Sequence, residues 1–334
     1  VSSELVKIGV VGAGHLGRWH IKNLLDLPEV QLIGFYDQNA ERAQQIAAEF
    51  GVKSYLDLES LLNACEAVSI VVPTTVHYEI ARAALQHNVH VFCEKPFMES
   101  VAEADEIIAL ARARGKILQI GHIERFNPAL AALHEFQVEP LFIESHRIAP
   151  FNPRGTDVAV VLDLMIHDID IVLALVKSPL IEFEAAGAPV LTDNIDIANA
   201  RLKFANGCVA NLTASRVSAK QMRRLRIFQR DTYFSIDFLK NTTEVYRLSA
   251  TSEPPAPGFV TLAELNPPGQ AVRRIWHKVL QTSQSNALFY ELRMFVKSIK
   301  TGEPPLVTGE DGKRVLELAL KIETQIKNEL RKIL

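Results

Sequence analysis

Lys7-Ile8-Gly9-Val10-Val11-Gly12-Ala13-Gly14-His15-Leu16-Gly17 is the stretch whose reading decides the fold. An apolar, strand-like run enters glycines spaced G-x-G-x-x-G and continues into a helix-like segment. That context makes the glycines a dinucleotide-binding turn. Gly12 permits the tight turn after the strand, Gly14 lets the backbone approach a pyrophosphate, and Gly17 lets the new helix pack close to the sheet. The anion then rests on the N–H groups that open the helix. His15 and Leu16, between the last two glycines, belong to the same cofactor-binding set.

Working outward, the strand Val30 to Tyr36 ends at Asp37, twenty residues beyond Gly17, where an acid binds the adenosine ribose hydroxyls. A carboxylate there repels a 2′-phosphate, so NAD is expected and NADP is disfavoured, with Arg42 as the side chain able to accept such a phosphate. The pattern then alternates: a helix over Ala40 to Phe50, a short strand around Val52 to Tyr55, a helix capped by Asp57, and an apolar central strand over Ala67 to Val72. A helix over Val76 to His87, a strand over Val89 to Cys93, a helix over Ser100 to Arg114 and a strand over Lys116 to Ile120 complete it. Alternation of this kind is α/β, a doubly wound parallel sheet covered on both faces.

Such sheets bind ligands beyond the carboxyl ends of their strands. Two segments fall there: Pro73-Thr74 with His77, and Glu94-Lys95-Pro96. His77 has two readings, a contact to the nicotinamide ribose or a first-turn histidine facing solvent. Lys95 sits on a turn stiffened by Pro96 and would be held over the nicotinamide; the ordinary alternative is a solvated lysine.

The alternation breaks at Gly121 and the segment His122 to Pro128, which places a first domain at 1–122 and a second at 123–334. The second opens with a helix over Pro128 to Phe136, a strand over Leu141 to Ile148 and a turn-rich loop over Ala149 to Gly155. The apolar run Val158 to Leu173 then reads as a buried helix carrying Asp163, His167, Asp168 and Asp170. At about 100° per residue, Asp163, His167 and Asp170 fall within roughly 60° of one another while Asp168 points elsewhere. Three polar groups buried together are costly without partners, so the stripe faces a polar cavity or a compensating network.

Strands without intervening helices follow: Ile181 to Val190, Ile195 to Phe204, Cys208 to Arg216, Leu225 to Phe228 and Tyr233 to Phe238, with Asn206-Gly207 as a hairpin turn. They make an open, mainly antiparallel sheet whose exposed face a partner subunit covers. The proline-rich segment Ser252 to Gly269 reads as an irregular loop, and amphipathic helices close the chain at about Asn286 to Lys300 and Gly312 to Leu334.

With 334 residues, the chain is long enough for two cores. A net charge of −3 gives no general attraction to nucleic acid or to acidic membranes. Cys65, Cys93 and Cys208 are too scattered for a disulfide framework or a zinc site, so no metal is expected and the thiols read as buried in a reducing compartment. No leader-like segment or membrane-length apolar run is evident in the sequence, and the expected location is the cytoplasm.

The glycine fingerprint, Pro73-Thr74 with His77, Glu94-Lys95-Pro96, the Asp163, His167 and Asp170 stripe, Asn286-Ala287-Leu288 and Gly302-Glu303-Pro304-Pro305 occur in an order that resembles the glucose-fructose oxidoreductase, inositol dehydrogenase and rhizopine catabolism (Gfo/Idh/MocA) family. The resemblance implies an N-terminal Rossmann domain, a C-terminal α+β domain whose open sheet supports homodimers or homotetramers, and NAD-dependent oxidation of a secondary alcohol of a sugar or polyol. It makes Lys95, Asp163 and His167 the catalytic candidates, with Asp170 positioning the histidine; either Lys95 or His167 serves as the base.

Two further segments, Gly121 to Pro128 and Ser145 to Asp157, resemble those of bacterial UDP-N-acetylglucosamine 3-dehydrogenases, whose 3-keto product an aminotransferase converts for diamino-sugar lipid A. Under that likeness the substrate is a UDP-sugar, and Arg125, Arg147 and Arg154 join Asp163, His167 and Asp170 as substrate-binding candidates. Arg147 and Arg154 are the candidate diphosphate contacts, or else surface arginines beside the domain boundary. The competing functions are dehydrogenation of a free sugar or polyol, a non-catalytic NAD-binding regulator on the same fold, and NAD-assisted glycoside cleavage.

Overall fold

The computed structural model describes residues 4–152, 158–280, 282 and 286–333. Two compact units make up the chain, one of Val1–Phe126 with Asn286–Glu317 and the other of Asn127–Ser285 with Leu318–Leu334. The expected division at 122/123 thus falls at Phe126 and is interleaved, because Asn286–Glu317 belongs to the first unit and Leu318–Leu334 to the second.

In the first unit, β1 (Val6–Val11), α1 (His15–Leu25), β2 (Val30–Tyr36), α2 (Ala40–Phe50), α3 (Leu58–Leu62) and β3 (Ala67–Ile70) follow in order. Next come α4 (His77–Gln86), β4 (His90–Glu94), α5 (Val101–Ala113) and β5 (Leu118–Gly121). The strands pair in parallel in the order β2-β1-β3-β4-β5. All four residues of β3 are buried, as an apolar strand covered on both faces requires. The sequence marks helix starts with polar caps: Asp57 accepts the Ser60 N–H at 2.7 Å, and Ser100 with Glu103 forms a reciprocal capping box. The strand expected at Val52 to Tyr55 is only a bridge between Phe35 and Ser54, because Phe35 alone exchanges backbone bonds with Lys53 and Tyr55.

Below the sheet, Val10, Phe35 and Phe92 share a core with Leu292 and Phe295 of the helix Ala287–Thr301. Asn286 caps that helix by accepting the Phe289 N–H, and its amide donates to Asn23 of α1.

The second unit begins with α6 (Pro128–Ala131), a single turn continued as a 3₁₀ turn over Ala132–Glu135 instead of the longer helix expected. It then supplies β6 (Phe142–Ile148), a π-helical turn over Val161–Met165 and α7 (Ile166–Leu175). Eight strands follow: β7 (Leu180–Ala188), β8 (Ile197–Phe204), β9 (Val209–Ser215), β10 (Met222–Gln229), β11 (Thr232–Asp237), β12 (Thr242–Ser249), β13 (Val260–Leu265) and β14 (Arg273–Leu280). The sheet order is β13-β14-β12-β11-β10-β6-β9-β8-β7, antiparallel throughout except where β6 lies parallel to β9. Strand β13 lies inside the expected proline-rich loop; all six of its residues are exposed, so it lacks the alternation by which a half-buried strand is read.

In β8, Ala198, Ala200, Leu202 and Phe204 turn inward while Asn199, Arg201 and Lys203 turn outward. The same alternation across neighbouring strands lines Phe142, Phe228, Tyr233, Tyr246 and His277 along one face, with successive ring centroids 5.9, 4.8, 5.2 and 4.6 Å apart. A concavity of about 700 Å³ on that face has a polar lining that includes Glu144, His146 and Arg201, and none of the residues proposed from sequence for binding or catalysis lines it.

The chain's last helices are α8 (Ala287–Thr301) and α9 (Gly309–Ile333). Among the described residues, no helix is long and apolar enough to cross a membrane and no cluster of His, Cys, Asp or Glu is placed to hold a metal ion. Burial pushes the Cys65 and Cys208 thiols up to about 12 and about 11. Both are therefore protonated and unreactive near neutrality.

Asp196 organises the turn that precedes β8. Its Oδ2 accepts the N–H groups of Val190, Leu191 and Thr192 at 2.9, 2.7 and 2.9 Å, and its Oδ1 accepts the Thr192 hydroxyl. Burial works to raise this carboxyl, but the three N–H donors and the hydroxyl outweigh it and hold the pKa at about 2. The turn is tied to the start of the polar-stripe segment, since Val160 N–H donates to the Ile195 carbonyl and Arg216 donates to that of Val158. A depressed folded pKa gives stability that is present above the unfolded value near 4 and is lost as pH falls toward about 2. Replacement Asp196→Asn is therefore expected to lower stability at neutral pH by about 1–3 kcal/mol and to flatten the acid limb between those values, as read from urea midpoints against pH.

Candidate active site

Gly12 has φ +93°, and a Cβ there would collide with the Val71 carbonyl, while a Cβ on Gly17 would collide with the carbonyl of Gly12. These two glycines are demanded by the protein's own packing. Gly14 differs: a Cβ there would meet nothing within 4 Å. Its lack of a side chain keeps space open at the end of α1, which starts with no side-chain cap and no acid in its first turn. Such a helix start suits an anion.

Asp37, at the end of β2, reaches back to this turn. Its Oδ2 accepts the Ala13 N–H and its Oδ1 that of Asn39, each at 2.8 Å, with Arg42 Nη1 3.4 Å from both oxygens. Strand end, glycine turn and carboxylate therefore fit the adenosine and pyrophosphate half of NAD. His15 and Leu16 lie exposed on the first turn of α1.

Beyond β3, Pro73 is exposed and Thr74 half-buried at the start of a 3₁₀ turn. His77 satisfies neither of its readings. It is fully buried, with Nδ1 3.0 Å from the Pro96 carbonyl and 3.2 Å from that of Phe97, and Nε2 2.9 Å from the Val72 carbonyl. Both ring nitrogens are engaged by backbone, so His77 ties the turn after β3 to the Lys95–Pro96 turn instead of touching a ribose. The Lys95–Pro96 bond is cis, and Lys95 is half-buried at the carboxyl end of β4.

One residue of this unit escaped the sequence reading. His20, on the inward side of α1, is fully buried, with Nδ1 2.8 Å from Ser69 Oγ and Nε2 3.1 Å from Glu94 Oε1. Two exceptions to the apolar pattern announce it, a histidine on the core face of α1 and a serine inside a central strand.

In the second unit the polar stripe begins on the π turn, which carries Asp163, and continues on α7 with His167 and Asp170. The expected regular helix over this run is thus corrected at its first turn, where each residue advances by less than 100°. Asp163 and His167 are half-buried, and Asp170 is fully buried. Asp168 does point elsewhere: its carboxylate accepts Arg147 Nε and Nη2, each at 3.0 Å, and both side chains are about 3% exposed.

That pairing corrects the assignment of Arg147. A guanidinium buried against Asp168, with Phe238 beneath it at 5.9 Å, is committed to holding α7 against β6 and is withdrawn as a diphosphate contact. Arg125 lies half-buried on the 3₁₀ turn Ile123–Phe126 of the first unit. Burial tends to raise the Asp311 carboxyl, but hydrogen bonds from Thr308 and Arg314, together with the charge of Arg125, hold it low. Arg154 lies outside the described residues.

A dinucleotide turn on a parallel sheet, joined to a unit with a polar-striped helix on an open sheet, defines a class of nicotinamide-dependent oxidoreductases. Residues 6–122 match the family described as oxidoreductase family, NAD-binding Rossmann fold, and residues 143–233 match the GFO/IDH/MocA C-terminal domain. The chain is 38% identical over 328 residues to UDP-N-acetylglucosamine 3-dehydrogenase of Acidithiobacillus ferrooxidans, covering 98% of this chain and 99% of that one. A solved structure of the Acidithiobacillus enzyme superposes with a TM-score of 0.86 at 36% identity, covering 97% and 98% of the two chains. Myo-inositol 2-dehydrogenase of Thermotoga maritima is 27% identical over 94% of both chains. This chain belongs to the GFO/IDH/MocA oxidoreductase family, with NAD as its cofactor.

Breaking the buried ion pair from one side leaves an uncompensated charge. Arg147→Met is expected to cost about 3–5 kcal/mol in denaturant unfolding, and Arg147→Met combined with Asp168→Leu to recover most of it. Asp37→Ala should weaken NAD binding about tenfold while tightening NADP, measured as dissociation constants for the two cofactors.

Proposed function

We propose that this protein oxidises the 3-hydroxyl of UDP-N-acetylglucosamine with NAD. The observation that carries the reading is the similarity to the Acidithiobacillus enzyme, which extends over nearly the full length of both chains. Overall, the secondary alcohol loses a proton and a hydride from one O–H and one C–H bond, giving a ketone. When bound, NAD supplies the acceptor for the hydride.

The remaining work belongs to the protein. An imidazole ordinarily exchanges protons near neutrality, so His167 takes the hydroxyl proton as the carbonyl forms. Lys95 donates a hydrogen bond to the reacting oxygen and stabilises the negative charge that develops there. Asp163 orients the sugar, and Asp170 holds His167 in position. Arg125 and Arg154 provide guanidinium forks for the diphosphate. The converse assignment, with Lys95 as base and His167 as donor, obeys the same proton balance.

The open sheet face mates with a second copy through its aromatic row from Phe142 to His277, with the polar side chains around Glu144 and Arg201 beside it. The similarity to myo-inositol 2-dehydrogenase supports a second reading, oxidation of a free polyol.

Purified protein supplied with NAD and UDP-N-acetylglucosamine should produce the reduced-cofactor absorbance, with an aminotransferase or a reoxidising keto acid coupled to draw off the ketone. Lys95→Ala and His167→Ala should each lower kcat by about 10²-fold or more while the protein remains folded. Turnover with inositol but not the nucleotide sugar selects the second reading. Silence with sugars, polyols and nucleotide sugars alike rejects both.

A further inference from the structure

Glu94 is held by a buried relay. Its Oε1 lies 3.1 Å from His20 Nε2, and the other ring nitrogen lies 2.8 Å from Ser69 Oγ. Because a carboxylate only accepts, Nε2 carries the proton and donates to Glu94, and the Ser69 hydroxyl donates to Nδ1. This polarity satisfies every member with Glu94 anionic. The carboxylate's second oxygen accepts the Lys95 N–H at 3.2 Å.

Two packing features fix the arrangement. The His20 ring stands edge-on to Phe92 at 5.5 Å, and Phe92 in turn stands edge-on to Phe295 at 5.8 Å. At the end of β5, a Cβ on Gly121 would come within 2.8 Å of the Glu94 carboxyl carbon, so that glycine reserves the volume the carboxylate fills.

We infer that His20 is a positioning residue that holds Glu94 as a fixed anion at the nicotinamide end of the cofactor site, so that the oxidised cofactor is favoured over the reduced one. The inference rests on reading the Lys95 turn as the nicotinamide site. The nicotinamide ring is cationic in NAD⁺ and neutral in NADH, so an immobile negative charge beside it discriminates between them by Coulomb attraction. Glu94 at the carboxyl end of β4 occupies the half of the strand edge opposite Asp37 at the end of β2, as a dinucleotide laid across the sheet requires. A buried, pre-aimed carboxylate acts more strongly than a solvated one because water does not screen it.

The test is cofactor binding without substrate, with NADH followed by its fluorescence and NAD⁺ by competition. Glu94→Gln keeps the shape and removes the charge; it should change the ratio of the two dissociation constants about tenfold in favour of NADH. His20→Ala should move the ratio in the same direction. His20→Gln should restore it, since its amide N–H reaches Glu94 and its oxygen accepts from Ser69, whereas His20→Asn is too short to do so. If His20→Ala does not fold, the contrast between the Gln and Asn variants decides. A ratio unchanged by Glu94→Gln, or affinities that fall equally for both forms in the His20 variants, overturns the inference in favour of a purely structural relay. Failure of the unaltered protein to bind NADH at all instead removes the cofactor reading beneath it.

Discussion

The close approach of α1 to the first sheet is the constraint on which the cofactor half of the molecule depends. It exists because neither Gly12 nor Gly17 has a side chain: a Cβ on Gly12 would strike Val71, and one on Gly17 would strike Gly12. Once the helix is seated that closely, its opening N–H groups lie at the strand ends, and the Ala13 N–H comes within reach of Asp37. Further along the same helix, the inward face brings His20 to Ser69 of β3 and Glu94 of β4. One packing requirement therefore sets both the anion site and the imidazole relay. Gly14, whose Cβ would meet open space, stands apart from this packing.

The second unit meets a different constraint. A π turn and helix that together carry four ionisable residues pack on a sheet, and their environments differ, Asp170 being fully buried. Asp168 is neutralised by the bidentate fork of Arg147, which also anchors α7 to β6. Asp163 and His167 keep partial exposure on the segment opened by the π turn. A π turn commonly marks a functional site, since it aims a side chain where a regular helix would not. The Arg147–Asp168 pair and the Asp196 turn, which is bonded to the start of the same segment, brace this departure from regular geometry from two sides.

Much of this was legible in the residues, and the parts that were not have separate causes. The Rossmann sheet could be read because its strands are largely apolar and several of its helices carry side-chain caps, such as Asp57 and Ser100. Helical periodicity sets Asp168 apart from the other three ionisable residues, and its pairing with Arg147 agrees with that, whereas Asp163 lies on the π turn, where the regular period does not apply. Edge strand β13 goes unread because nothing in it is buried; β12 and β14 are also absent from the sequence reading, although Thr243, Val245, Trp276 and Leu280 are buried. His77 and Arg147, each open in the sequence to a ligand contact or a surface position, are instead buried, one among carbonyls and the other against a carboxylate, which only tertiary packing decides. Pattern reports which residues are polar; only the fold reports what already satisfies them.

The same distinction explains why Ser69 and His20 carry more information than their positions suggest. Each violates the apolar pattern of its element, and each violation alone would be a cost. Together with Glu94 they cancel: hydroxyl to imidazole and imidazole to carboxylate leave no buried donor or acceptor among the three unserved. A fully apolar replacement of His20 and Ser69 would pack this interior with less polar burial, yet it would leave Glu94 with no fixed partner from α1. Retaining three matched polar groups at the carboxyl end of the sheet is therefore better explained by the need for a directed charge than by stability, since satisfied polar burial gains little over apolar packing.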